Sequence, residues 1–156
     1  MFYVTSEIAS AGLVVIGSQY RGSRANNTPN NGKDEFGGDD VNDVLALQSI
    51  LVEIPEADMS QISLVGWSRG VMQSYLVAKQ MHNLKAIVSI AGNSDARKSL
   101  EWRSEMEKVY MARVPNYEAN KVQELSKRSV VDWVDELGGT PILLIHGSGD
   151  KRVNVE

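Results

Sequence analysis

A chain of 156 residues is sized for one domain, and a single domain spanning residues 1–156 is the expected organisation. Its 16 basic and 20 acidic residues give a net charge of −4, and no basic run is present, which excludes the electrostatic footprint of a nucleic-acid or anionic-membrane partner. The absence of cysteine excludes disulfides, thiolate metal ligands and a cysteine nucleophile.

In chain order, residues 1–12 include Glu7 and lack both the basic and the long apolar segments of a secretory leader. No apolar run reaches the roughly 18 residues of a membrane span. A soluble protein is expected, with a cytoplasmic location slightly favoured. Residues 13–16 form the first of four short runs of Val, Ile and Leu, followed by residues 62–65, 86–90 and 142–145. None alternates with polar residues, the pattern of strands buried on both faces.

Residues 22–40 form the one long loop, rich in Asn26, Asn27, Asn30, Asn31, Gly37 and Gly38. A helix is expected over residues 41–53, with Val41, Val44, Leu45, Leu47, Ile50 and Leu51 on one side and Asp39 or Asp40 capping its first turn. A second helix, over residues 69–81, spaces Val71, Met72, Tyr75 and Leu76 for burial. Residues 93–137 carry Trp102, Met106, Tyr110, Val122, Leu125 and Trp133 among many charges and read as several helices inserted between two strands. One of these opens at residues 129–132. Gly138 and Gly139 stop the last helix and Pro141 opens the last strand. Apolar strands separated by helices define an α/β class with a parallel sheet.

The chemistry-bearing motif is Gly66-Trp67-Ser68-Arg69-Gly70, which follows the run at 62–65 at once and leads straight into the second helix. This is the context of a nucleophile elbow: a sharp strand-to-helix turn lifts the Ser68 hydroxyl off the sheet edge. Glycine at 66 and 70 is expected to avoid collisions with neighbouring backbone. The backbone N–H of Arg69, opening a helix, points where charge develops on a tetrahedral intermediate. Asp150, in Gly147-Ser148-Gly149-Asp150, follows the last strand and is the candidate acid, since sites in parallel sheets collect at the carboxyl ends of strands.

On these residues the chain resembles the prolyl oligopeptidase group of α/β-hydrolases, the serine peptidases and their single-domain relatives. Residues 12–23 (GLVVIGSQYRGS) resemble the family's strand and following loop, residues 40–51 its next helix, residues 66–70 its elbow, and residues 141–153 (PILLIHGSGDKRV) its acid strand and turn. The resemblance implies an α/β-hydrolase fold, a mostly parallel sheet with helices on both faces, present here as a partial domain. It implies a serine hydrolase acting on a peptide or an ester through an acyl-enzyme, with Ser68 and Asp150 catalytic and no cofactor. A carboxylesterase of the same fold, or a non-catalytic relative kept for binding, are the alternatives.

In the family the base histidine lies some tens of residues beyond the acid, whereas residues 151–156 alone follow Asp150 here. The base is therefore expected outside these residues, with the chain alone inactive. The family's first strands, with a turn that completes the oxyanion hole, are expected to be missing too, leaving residues 13–16 apart from the Ser68 strand. Val71 stands where relatives carry a second glycine. His146 matches a structural histidine of the family, and His82 reads as a surface residue at a helix end, so neither is the preferred base. Tyr20, Arg21 and Trp67 are candidates for the border of the cleft. The acidic group Asp34, Glu35, Asp39 and Asp40 lacks the spacing of a calcium loop, so capping and solvation are expected and no metal site.

Overall fold

The parallel sheet expected from the apolar runs is present in a computed structural model of the chain, which describes residues 2–22 and 32–155, the side chains of Phe2 and Tyr3 excepted. Three strands, β1 (Ser63–Trp67), β2 (Ala86–Ile90) and β3 (Ile142–Ile145), pair in the order β1-β2-β3. Gly66 pairs with Ser89 and Trp67 with Ile90, while Ile90 pairs with Ile145. The three carboxyl ends are therefore level. Two backbone bonds of 2.9 Å extend this alignment past the strands, from Ser68 N–H to Ile90 O and from Ala91 N–H to Ile145 O.

Helix α4 (Arg69–Ala78) returns across β1 and β2 and buries Val71, Met72, Tyr75, Val77 and Ala78. Ile87, at the centre of the middle strand, is fully buried in the same cluster, joined by Val41, Trp133 and Leu137. A polar pair crosses this layer, with the Ser89 hydroxyl bonded to the Tyr75 hydroxyl at 2.8 Å. Burial on both faces does not extend to the edge strands: Leu144 of β3 is 71% exposed and Trp67 of β1 is 52% exposed. Apolar composition made these segments strands, yet only β2 has neighbours on both sides.

Residues 13–16, expected as a strand, join no sheet and lie outside any regular element, with Leu13 and Val14 exposed. A Leu-Val-Val-Ile run becomes a strand only where an adjacent edge accepts its N–H and C=O groups, and neither edge of the described sheet meets it. Helix α1 (Phe2–Ser10) precedes it.

The helix expected over residues 41–53 is two short ones, α2 (Val41–Leu45) and α3 (Leu47–Leu51), and Ala46 between them keeps helical dihedrals. The expected cap is not made. Asp40 occupies the N-cap position with no side-chain cap bond, because its carboxylate turns back to the N–H groups of Gly37 and Gly38. Asp39 faces Arg21 instead, at 3.6 Å.

The insertion between β2 and β3 contains α5 (Ala96–Trp102), α6 (Met106–Arg113) and α7 (Tyr117–Lys127), followed by 3₁₀ turns Val130–Asp132 and Val134–Leu137. Its own core gathers Ala96, Tyr110, Val114, Tyr117 and Leu125. Asp95 caps α5 by accepting from Arg97 N–H and Lys98 N–H. Ser129 caps nothing; its buried hydroxyl donates to Leu125 O at 2.8 Å and accepts from Ala96 N–H at 2.9 Å, stapling α7 to α5. Gly138 ends the last turn in the left-handed region, as expected of a glycine stop. Of the long loop, Asn26, Asn27, Asn30 and Asn31 lie outside the described residues.

Candidate active site

Between β1 and α4 the chain turns at a single residue. Ser68 has φ 52° and ψ −118°, a positive φ that costs a non-glycine residue energy and persists where the surroundings enforce it. Its N–H is tied to β2 and its carbonyl accepts from Val71 N–H at 3.0 Å, so the turn is held from both sides. The Ser68 side chain is exposed, and its hydroxyl has no hydrogen-bond partner among the described residues.

Gly66 is required by this turn: a Cβ there would lie 2.5 Å from the Gly70 carbonyl oxygen and 2.6 Å from Val71 N. Gly70 is not required in the way expected. A Cβ at 70 would meet only the Tyr20 hydroxyl, at 3.8 Å, an ordinary contact, although the Gly70 carbonyl itself lies against Gly66. The tight position is Gly92, where a Cβ would fall inside the Val71 side chain. Val71 thus fills space that a side chain at 92 would otherwise claim.

Arg69 follows the elbow serine, and its guanidinium turns toward residues 34–40. It donates to Asp34 Oδ2 at 2.7 Å and Oδ1 at 2.5 Å, and to Asp40 Oδ2 at 2.6 Å. The group stacks on Phe36 (4.5 Å) and Tyr20 (4.9 Å). Gln73 also donates to Asp40, which is fully buried, and Arg113 reaches Asp34 at 2.6 Å. Burial lowers the Arg69 pKa, but Asp34 and Asp40 more than offset it and hold the guanidinium charged. Burial raises the Asp34 carboxyl, yet hydrogen bonds from Arg69 and Phe36 N–H, with the charge of Arg113, leave it below the usual range. Phe36 has φ 51°, and its ring stands edge-on to Tyr110 at 5.4 Å.

Asp150 sits past the end of β3. Its carboxylate accepts from Arg152 N–H (2.8 Å) and Val153 N–H (3.1 Å), bonds that depress its pKa. His146 approaches it at 3.5 Å, and the same Nε2 lies 2.9 Å from Val153 O, which occupies the imidazole inside the acid turn. Neither His146 nor His82 hydrogen-bonds to Ser68. With one strand between β1 and β3 and strands about 4.8 Å apart, the elbow and the start of the acid turn stand roughly 10 Å apart at the same carboxyl end of the sheet.

A cavity open to solvent adjoins Ser68. Phe36, Met72, Trp102, Met106 and Tyr110 supply its apolar wall, and residues 152–154, just past Asp150, close another side. The elbow and the acid turn therefore share one hollow. Of the expected cleft-border residues, none lines it: Tyr20 packs under Arg69, Arg21 is bound to Asp43 through Nε (3.0 Å) and Nη2 (2.8 Å), and Trp67 stands exposed on the opposite side of the elbow strand from the α4 layer. Among the described residues no group of three or more acidic or histidine side chains is placed to hold a metal ion, and no helix is long and apolar enough to cross a membrane.

Sequence reading missed three parts of this site. Asp34 and Asp40 were expected to be solvated or capping, although an arginine directly after a buried elbow calls for carboxylates, and the neighbouring loop offers four. The wall residues Trp102, Met106 and Tyr110 were visible only as helical apolar positions. Gly92 carried no motif at all.

The prolyl oligopeptidase family model matches residues 2–156, nearly the whole chain. The chain belongs to the prolyl oligopeptidase family. It is 32% identical over 152 residues to the uncharacterized peptidase YtmA of Bacillus subtilis (strain 168), covering 96% of this chain and 57% of that relative. Similar solved structures include a puromycin-hydrolyzing peptidase of Mycobacterium tuberculosis (TM-score 0.64, 25% identity, 77% of this chain and 18% of that one). Pyrococcus horikoshii acylaminoacyl peptidase shares the fold (TM-score 0.65, 24% identity, 79% and 20%). The chain spans little more than half the length of the curated relative that it matches.

Proposed function

We propose that Ser68 is the nucleophile of a serine hydrolase that cleaves peptide bonds through an acyl-enzyme. The observation that carries this reading is the backbone of Ser68, held at positive φ between a strand and a helix with its hydroxyl free and facing a cavity. In the proposed reaction Ser68 Oγ attacks the substrate carbonyl carbon while a histidine accepts its proton. The same histidine returns the proton to the leaving amine, and water then releases the acid. Arg69 N–H, at the first residue of α4 with no helical acceptor, donates to the oxyanion. Asp150, kept ionised by the N–H groups of Arg152 and Val153, orients the imidazole.

That imidazole is assigned to neither histidine of these 156 residues, since His146 is engaged within the acid turn. The chain alone is therefore proposed to turn over only with an external base. The apolar wall suits an aromatic or aliphatic side chain next to the scissile bond. A similar acylaminoacyl peptidase (TM-score 0.64, 25% identity) is known in complex with Z-Gly-Gly-Phe-chloromethyl ketone, an aromatic peptide ligand, which supports that choice.

A peptide p-nitroanilide and a p-nitrophenyl ester, each presented with and without added imidazole, test the proposal. Imidazole-dependent release of nitroaniline that vanishes in Ser68→Ala is the expected result. Ser68-dependent release from the ester alone, above the background cleavage by imidazole, assigns an esterase instead. Equal rates for both proteins on both substrates favour a non-catalytic relative, the reading that the unbonded Ser68 hydroxyl otherwise invites.

A further inference from the structure

The cavity beside Ser68 has an unusual charge for this molecule. The chain carries more acidic than basic residues, yet three arginines and no acidic side chain are among the described residues that line the cavity. The three differ in what they can still bind. Arg69 is neutralised internally by Asp34 and Asp40. Arg103 uses Nε on Glu105 at 3.0 Å, and no hydrogen bond engages its terminal nitrogens among the described residues. Arg152 is exposed, and its guanidinium makes no hydrogen bond or ion pair among them, with Glu105 and Asp150 as the acids whose charge it feels.

A guanidinium presents paired N–H donors in the fork that a carboxylate accepts, and such charge-assisted bonds are about twice as strong as neutral ones. Here two such groups, one from the start of the α5–α6 connection and one from the acid turn, open onto the hollow whose floor is aromatic and thioether. A substrate with only apolar side chains would leave the terminal nitrogens of Arg103 and the guanidinium of Arg152 without a partner across the hollow. We propose that the cavity selects peptides carrying a carboxylate side chain next to an aromatic or aliphatic residue, with Arg103 and Arg152 receiving the carboxylate. This names the substrate class of the site and rests on the reading of Ser68 as its nucleophile.

Binding to the Ser68→Ala chain tests this without any dependence on turnover. The probes are acetyl-Glu-Phe-amide and acetyl-Phe-Glu-amide, each beside its Gln counterpart, titrated by calorimetry. At least one Glu peptide is expected to bind roughly tenfold more tightly than its Gln partner. That preference should shrink in Arg103→Gln and in Arg152→Gln, and in about 0.5 M salt. Arg152 is exposed, and Arg103 is half-buried with its side chain bonded to the exposed Glu105, so melting temperatures should change little in the variants. Equal binding of Glu and Gln peptides in both orders overturns the proposal, as does a charge preference that survives in the double arginine variant, or no binding of any probe. Failure of the hydrolysis test with a Glu preference intact would instead remove the catalytic reading alone.

Discussion

At residue scale the site turns on three glycines with different duties. Gly66→Ala would drive a Cβ against the backbone of Gly70 and Val71, and a loss of about 1 to 3 kcal/mol is expected in urea denaturation. Gly70→Ala, by contrast, has room and a negative φ, so it should be neutral or stabilise by up to about 1 kcal/mol. Opposite effects of these neighbours would separate the geometry of this elbow from a generic need for glycine. Gly92→Ala should cost about 1 to 3 kcal/mol, and less in a Val71→Ala background, a coupling that a double-mutant cycle measures. Gly66 and Ser68 were legible because a short motif encodes a local turn. Gly92 was not, because its constraint comes from a side chain 21 positions earlier in the chain that only the packed sheet and helix bring close.

At the scale of elements, the loop that ends at Asp40 is clamped to α4 by buried charge. Asp40→Ala would leave Gln73 without its carboxylate, Arg69 with Asp34 alone, and the Gly37 and Gly38 N–H groups without that acceptor. A destabilisation of about 3 to 5 kcal/mol is expected, read by denaturant titration. Asp34 gives the clamp a pH dependence. Its folded-state pKa lies below the unfolded one, so its contribution is present above about pH 4 and is lost as the pH falls through the lowered folded value. Stability measured from neutral pH downward should therefore fall on acidification, and Asp34→Asn should flatten that fall; an unchanged slope would remove Asp34 from the clamp. The strands and the run of helices in the insertion were legible from composition and period. The clamp was not: its partners lie 35 and 29 positions apart, and nothing local distinguishes a buried aspartate from a capping one.

Across the whole molecule, a sheet with one well-covered strand carries the elbow and the acid turn at its carboxyl end. Hydrogen exchange should show the strongest protection at β2, where Ile87 is fully buried, and little at residues 13–16, which pair with nothing described. Strong protection at 13–16 would mean that this run has found an edge. The α/β class and the parallel order could be inferred from the alternation of apolar runs and helices, because strand and helix patterns differ in period. That residues 13–16 stand apart from the Ser68 strand followed from the family resemblance, whereas their own composition read as a strand, since pairing belongs to the neighbour as much as to the run.

The central claim, that Ser68 is a nucleophile, is tested most directly by treating the 156-residue chain with a fluorophosphonate and reading intact mass and the modified peptide. Expected is a single adduct on Ser68, slow alone, faster with added imidazole and absent in Ser68→Ala. An adduct that forms equally in Ser68→Ala, or no adduct under any of these conditions, would contradict it.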